Sequence, residues 1–183
     1  GLLKNQGIKV VHVVSSSLFA QKAEAAGCDA VVAEGFEAGG HNGREETTSM
    51  ILIPSVKEAI NIPLIAAGGI ATGRQMLAAM ILGADAVQIG SRFVCSEEAS
   101  SHQAFKDAII AAKEGDTQLS LKKLVPVRLL KNPFAESVLE AEKNGALPEA
   151  LMELLGRARA KKGMFEGDLI EGELEIGQVS AMI

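Results

Sequence analysis

The chain has 183 residues, 48% of them hydrophobic and 22% charged, with a net charge of −5. That length supports one globular domain with a sizeable core, and the acidic balance argues against a nucleic-acid backbone as partner, which needs clustered Lys and Arg. No apolar run reaches the ~20 residues of a membrane helix, Gly1–Lys9 is too short and polar for a secretory signal, and the two cysteines, Cys28 and Cys95, lack a CxxC spacing, so a reduced cytoplasmic setting is expected.

Val10–Val14 is a short β-branched run and reads as a strand. His12 inside it is expected to be packed and hydrogen-bonded, and Ser15–Ser17 at its end could line a pocket. Leu18–Ala26 has helical spacing and stops at Gly27, a C-cap residue. Asp29–Glu34 is a second strand, followed by a glycine-rich loop over Gly35–Thr48. Pro54–Ile60 is expected to be helical, Pro63–Ala67 a third strand, Gly73–Leu82 a helix ending at Gly83, Asp85–Ile89 a fourth strand and His102–Lys113 a fourth helix. The phrases GCDAVVAEG (27–35) and GADAVQIGS (83–91) repeat one pattern: a helix end, a buried strand, a glycine turn.

Four strand–helix alternations with continuous apolar strands predict a parallel sheet buried on both faces. A small open α/β sheet and part of a (β/α)₈ barrel both satisfy that pattern; a complete barrel takes ~250 residues. Beyond Glu114 the character changes. Ser120–Lys131 is basic and apolar, Ala135–Gly145 and Pro148–Lys162 read as amphipathic helices, and Phe165–Gly177 is acidic and punctuated by glycine. The expected division is residues 1–116, the βα units, and 117–183, a helical appendage.

Two glycine turns carry chemistry. Gly68 and Gly69 follow the third strand, with Gly73 opening the next helix; Gln88, Gly90 and Ser91 follow the fourth. Glycine lets a backbone approach an oxyanion closely, and N–H groups at a helix start favour negative charge. One such turn is as well explained by a tight βα connection; two on consecutive βα units point to phosphate. The loop after the second strand holds Ala38, Gly39, Gly40 and His41. A histidine there can act as acid or base near neutral pH, the bland alternative being a surface loop residue. Glu34 and Glu37 could pair for hydrolysis, but Glu34 reads better as a strand-end residue that orients the loop. His102 is expected to be solvated and Cys95 to be buried and inert. Three scattered histidines and two cysteines give no metal site. The absence of Trp and Tyr removes aromatic stacking as the main binding mode.

EGFEAGGHNG (34–43), AAGGIATGRQM (66–76) and LGADAVQIGSRF (82–93), in this order, closely resemble the flavin-dependent family of nitronate monooxygenases and type II enoyl-acyl-carrier-protein reductases. The resemblance implies an α/β fold, the C-terminal half (strands 5–8) of a TIM (β/α)₈ barrel with an appended helical segment, the first four strands being absent. It implies FMN as cofactor, NAD(P)H as co-substrate, a small-molecule or acyl-carrier-protein-bound substrate, and a homo-oligomer. Gly68, Gly69, Gly90 and Ser91, with Gln88 on the same strand end, would hold the FMN phosphate. Ala38, Gly39 and Gly40 would line the flavin, His41 would be catalytic, and Gln178 would touch the pocket. Ala67 and Val13 stand where many nitronate monooxygenases carry Ser and Lys, and EAGGHNG is spelled as in the reductases. NAD(P)H-dependent enoyl thioester reduction is therefore the leading expectation. The alternatives are oxidation of alkyl nitronates with O₂, and a catalytically incomplete half barrel that only binds flavin or phosphate.

Overall fold

The structure, a computed structural model, describes residues 2–183. Its strands are β1 (Val11–Val14), β2 (Ala30–Glu34), β3 (Gly40–His41), β4 (Leu64–Ala67), β5 (Ala86–Gln88), β6 (Thr117–Ser120) and β7 (Val127–Leu130). They form two sheets, and the chain divides into two compact units: Gly1–Glu37 with Glu45–Ile89, and Ala38–Arg44 with Gly90–Ile183.

The first unit is the predicted βα repeat. β1, β2, β4 and β5 are parallel neighbours in chain order, and the order never reverses. The short helix α1 (Leu2–Asn5) precedes them, and α2 (Ser17–Ala25), α3 (Ser49–Lys57) and α4 (Gly73–Ile81) connect them. The helix ends follow from local chemistry. The Ser16 hydroxyl accepts from Phe19 N–H, while Thr72 and Gln75 form a reciprocal capping box. At α2 and α4 the chain leaves through a left-handed glycine, Gly27 at φ +87° and Gly83 at φ +109°. Each donates its N–H two residues inside the helix, and the residue after it reaches back to Ala23 or Ala79.

The repeated aspartate in the two phrases has a physical reason. Asp29 Oδ2 accepts Val10 N–H at 2.8 Å, and Asp85 Oδ2 accepts Leu64 N–H at 2.9 Å, so each ties the start of its strand's neighbour. Those backbone donors, helped by Lys4 and Lys9, hold the Asp29 carboxyl at about 2, and the same arrangement with Lys57 lowers Asp85. The core lies between sheet and helices, around Val31, Ala33, Leu52, Ile53, Val56, Leu64 and Ala66. Burying each Leu, Ile or Val there contributes about 1.5–3 kcal/mol.

Three expectations need correction in this unit. α3 begins at Ser49, five residues before the predicted start, and carries Pro54 inside it. Pro54 forfeits one backbone donor, which the burial of Leu52, Ile53 and Val56 outweighs. β1 and β5 are not buried on both faces as β2 is, and His12 on β1 is exposed rather than packed.

The second unit departs further from the expected helical appendage. It contains an antiparallel sheet, ordered β3-β7-β6. Val127 and Leu129 bury one face of β7 in a core with Phe134, Val138 and Leu151, from α7 (Pro133–Lys143) and α8 (Pro148–Leu155). Asn132 caps α7, accepting from Ala135 N–H at 2.8 Å and donating to the carbonyls of Leu169 and Gly172. The single helix expected over Pro148–Lys162 is two: the chain breaks at Gly156 (φ +60°) and Ala158 (φ +61°) before α9 (Arg159–Met164). A short helix α5 (Ser91–Val94) precedes α6 (Gln103–Ala111). Buried Lys106 on α6 donates to the carbonyls of Ser96 (2.7 Å), Ala99 (2.9 Å) and Glu97 (3.4 Å), closing the intervening loop. His102 is exposed and caps α6 through Nδ1, and partial burial pushes the Cys95 thiol up. The chain ends in a 3₁₀ turn, Gln178–Met182, on which Gln178 is exposed.

Candidate functional site

In the first unit, Gly68 and Gly69 turn away from β4 with φ +89° and +72°, a region that favours glycine. A Cβ on Gly68 would stand 2.8 Å from the Gly35 carbonyl oxygen, and one on Gly69 3.4 Å from the Glu37 side chain. These glycines therefore serve close approach to the loop after β2 on the side where a side chain would stand. Glu37 anchors that loop: its carboxylate accepts Ser49 N–H and the Ser49 hydroxyl bonds it at 3.1 Å. The same hydroxyl reaches the Gly68 carbonyl at 2.9 Å. Glu37 is thus a strut at the start of α3, and a hydrolytic pairing with Glu34 finds no support in these bonds. Gln88 pairs in register with Ala67 and is exposed.

In the second unit, Gly90 is exposed, has an ordinary negative φ (−96°), and a Cβ there would meet open space. Ser91 Oγ accepts Gly177 N–H at 3.1 Å, leaving its own proton available to an acceptor. Open backbone beside a hydroxyl donor, here within the second unit, is chemistry that suits an anionic group.

His41 lies on β3, opposite Val127, and is exposed. Gly40 sits at φ +74°, and a Cβ on Gly39 would collide with the Ile176–Gly177 peptide, so these glycines seat the turn against the C-terminal segment. Buried Asn42 holds the turn from inside, its amide donating to the carbonyls of Ala38 and Gly40 at 3.0 Å each. Sequence reading missed Asn42, although it follows the histidine directly.

His41 opens onto a cavity of about 590 Å³ within the second unit. Its walls are apolar, among them Leu121, Leu124, Val127, Met152 and Leu155, and its ionisable groups are Lys123, Arg159 and Glu173 besides His41. Arg159 is anchored by the carbonyls of Leu155 and Glu171 and by the Glu171 carboxylate at 3.1 Å. Burial pushes the Glu173 carboxyl up, the Glu175 charge adds to the rise, and His41 and Arg159 oppose it. The period-two run Glu173–Leu174–Glu175–Ile176 was the signal that could have placed these groups on a strand-like segment. Among the described residues, no group of His, Cys, Asp and Glu is placed to hold a metal ion, and no helix is long and apolar enough to cross a membrane.

Parallel βα units with glycine turns at the strand ends in the first unit, and a histidine facing an apolar cavity in the second, define an α/β protein. The family model for nitronate monooxygenase matches residues 2–183, and the chain belongs to that family. A probable nitronate monooxygenase of Staphylococcus saprophyticus is 40% identical over 148 residues, covering 75% of this chain and 42% of the relative. One from Staphylococcus aureus is 38% identical over 158 residues, covering 80% and 43%. Among solved structures, FabK from Thermotoga maritima has a TM-score of 0.93 at 44% identity, covering 100% of this chain and 57% of that one. The nitroalkane oxidase of Streptomyces ansochromogenes has a TM-score of 0.79 at 32% identity, covering 98% and 54%. The chain thus spans less than half the length of these curated relatives and a little over half that of the solved ones.

Proposed function

We propose that the protein is an FMN-dependent oxidoreductase that reduces enoyl thioesters with NAD(P)H. The observation that carries this choice is the cavity beside His41. Its volume of about 590 Å³ and its Leu, Val and Met walls suit an acyl chain, whereas a short nitroalkane would fill a small part of it. Likeness to FabK, together with the reductase spelling of EAGGHNG (37–43), points the same way. The names of the curated relatives favour nitronate oxidation as the second reading.

The four-stranded sheet is read as strands 5–8 of a (β/α)₈ barrel. Its order supports this: an open doubly wound sheet reverses direction at a switch point, and β1-β2-β4-β5 does not. The N–H groups of Gly68, Gly69 and Gly90 and the Ser91 hydroxyl would bind the FMN phosphate, with Gln88 on the same strand end, and Ala38, Gly39 and Gly40 would line the flavin. FMN, when bound, supplies hydride transfer from NAD(P)H to the substrate. His41 would hold a proton at a ring nitrogen and give it to the developing enolate. The apolar walls exclude water from the acyl end, and Asn42 fixes the turn that presents His41.

Purified protein incubated with FMN is expected to turn yellow and to consume NAD(P)H with a crotonyl thioester. Oxygen uptake on nitroalkanes without thioester turnover would replace this reading by the nitronate one. FMN uptake with neither turnover would reduce the chain to a flavin-binding piece. His41→Ala is expected to cost about 10²–10⁴-fold in turnover; an undiminished rate removes the acid–base role.

A further inference from the structure

We propose that Leu121 is a specificity-determining residue: its side chain, turned into the cavity by a left-handed backbone, is the stop that limits the length of acyl chain admitted beside His41. This rests on the reading of that cavity as the acyl site, and adds the residue that sets its reach.

The sheet register shows what the backbone has to do there. Ser120, the last residue of β6, lies opposite Val127, and Val127 lies opposite His41, so the three share one face of the sheet. Period-two alternation would send the next residue, Leu121, to the other face with Leu119 and Arg128. It does not go there. Leu121 takes φ +63° and packs with Val127, and both line the cavity. A positive φ is a genuine outlier for a bulky residue. Among the described residues it recurs away from glycine only at Glu46 and Ala158, and Ala158 also lines this cavity.

Such a conformation persists only where the surroundings over-determine it. Here the residue is fixed on both sides. The Glu142 carboxylate on α7 accepts Leu121 N–H at 2.9 Å and Lys122 N–H at 3.2 Å, and the Leu121 carbonyl accepts Leu124 N–H at 2.9 Å. These bonds use the backbone alone and would hold a glycine equally well without strain. What the left-handed geometry secures is therefore the place of the leucine side chain. Depth gives that side chain its role. Leu121 and Val127 are 2% and 3% exposed, whereas Val125 and Met152 on the same walls are 48% and 54% exposed. Leu121 thus stands at the closed end and exposed His41 at the open one. β7 lies between the strands that lead to them, so two inter-strand spacings, about 10 Å, separate the two. An extended chain of 1.5 Å bonds advances about 1.25 Å per carbon, which gives room for about eight carbons.

The test is calorimetric titration of the ligand-free full chain with saturated acyl-coenzyme A thioesters of four, eight, twelve and sixteen carbons, which bind without turning over. Each methylene that enters the cavity should raise affinity about four-fold, and the gain should stop between about eight and twelve carbons. In Leu121→Gly and Leu121→Ala the gain should continue, the twelve-carbon thioester binding about ten-fold or more tightly than the eight-carbon one. Leu151→Ala, which removes a leucine of the same core outside the cavity wall, should keep the wild-type limit. Leu121→Gly should also unfold at higher urea than Leu121→Ala, the reverse of the usual order, because only alanine keeps the strain. The proposal is overturned by a wild type that binds none of the thioesters or gains affinity without a break to sixteen carbons. It is equally overturned by Leu121 variants that keep the limit, by Leu151→Ala moving it as far, or by Leu121→Ala being the more stable of the pair. If neither Leu121 variant folds, the wild-type series decides. Because no cofactor is involved, a chain-length limit moved by Leu121 without FMN uptake sinks the proposed function and leaves this inference standing; thioester turnover with an unmoved limit does the reverse.

Discussion

Gly68 and Gly90 occupy corresponding turns, yet alanine should affect them in opposite ways. At Gly68 the backbone sits at φ +89°, where an L side chain costs about 1–2 kcal/mol. The new Cβ would stand 2.8 Å from the Gly35 carbonyl oxygen, which is backbone and cannot rotate aside. Overpacking of that kind adds about 1–3 kcal/mol, so Gly68→Ala should lose about 2–5 kcal/mol. At Gly90 φ is −96° and a Cβ meets nothing within 4 Å. Gly90→Ala should leave stability unchanged or raise it by about 0.4–1 kcal/mol through the unfolded chain. The methyl group would, however, occupy the open face on which a phosphate is proposed to rest. If it costs the ligand about 1–3 kcal/mol, FMN affinity falls by about 5–150-fold. Urea unfolding reads the first effect and flavin fluorescence titration the second. Gly68→Ala as stable as the wild type would refute the packing argument. Gly90→Ala binding FMN undiminished would refute the anion site.

Further outcomes follow from the hydrogen bonds. Asn42→Ala removes two buried bonds and leaves the Ala38 and Gly40 carbonyls without that donor, which should cost about 2–3 kcal/mol, read as a lower urea midpoint; an unchanged midpoint means the turn holds itself. Asn132→Ala strips the α7 cap and two carbonyl partners, and a loss of about 2–4 kcal/mol is expected in the same assay. Asp29 is lowered from 3.8 to about 2 and Asp85 is lowered too, so their contribution is complete above about pH 4 and drains away as pH falls towards 2. Asp29→Asn should flatten that part of the stability curve, and a variant with the same acid sensitivity would dissociate it from Asp29.

The βα repeat was legible because its signals are local. Thr72 with Gln75, and the glycines at 27 and 83, mark helix ends within a few residues of the atoms they satisfy. The start of α3 was not, since Pro54 reads as a first-turn residue and only the burial of Leu52 and Ile53 shows the helix running through it. The second sheet was invisible for a different reason. β3 is two residues long and exists only because Val127 and Arg128 pair with it from a distant part of the chain, which no window along the sequence contains. The same limit divides the candidate site. His41 was found from its glycines, whereas Glu173 and Arg159 reach its cavity only through that long-range pairing.

Lys106 brings one more property to the segment after α5. Three carbonyl oxygens gathered around one ammonium form the kind of coordination shell that a dissolved potassium ion also finds attractive. Here the cation is tethered by its own side chain, so its local concentration is constant and no ion must be recruited from solution. The turn over residues 96–99 is accordingly closed by a cation that belongs to the chain itself.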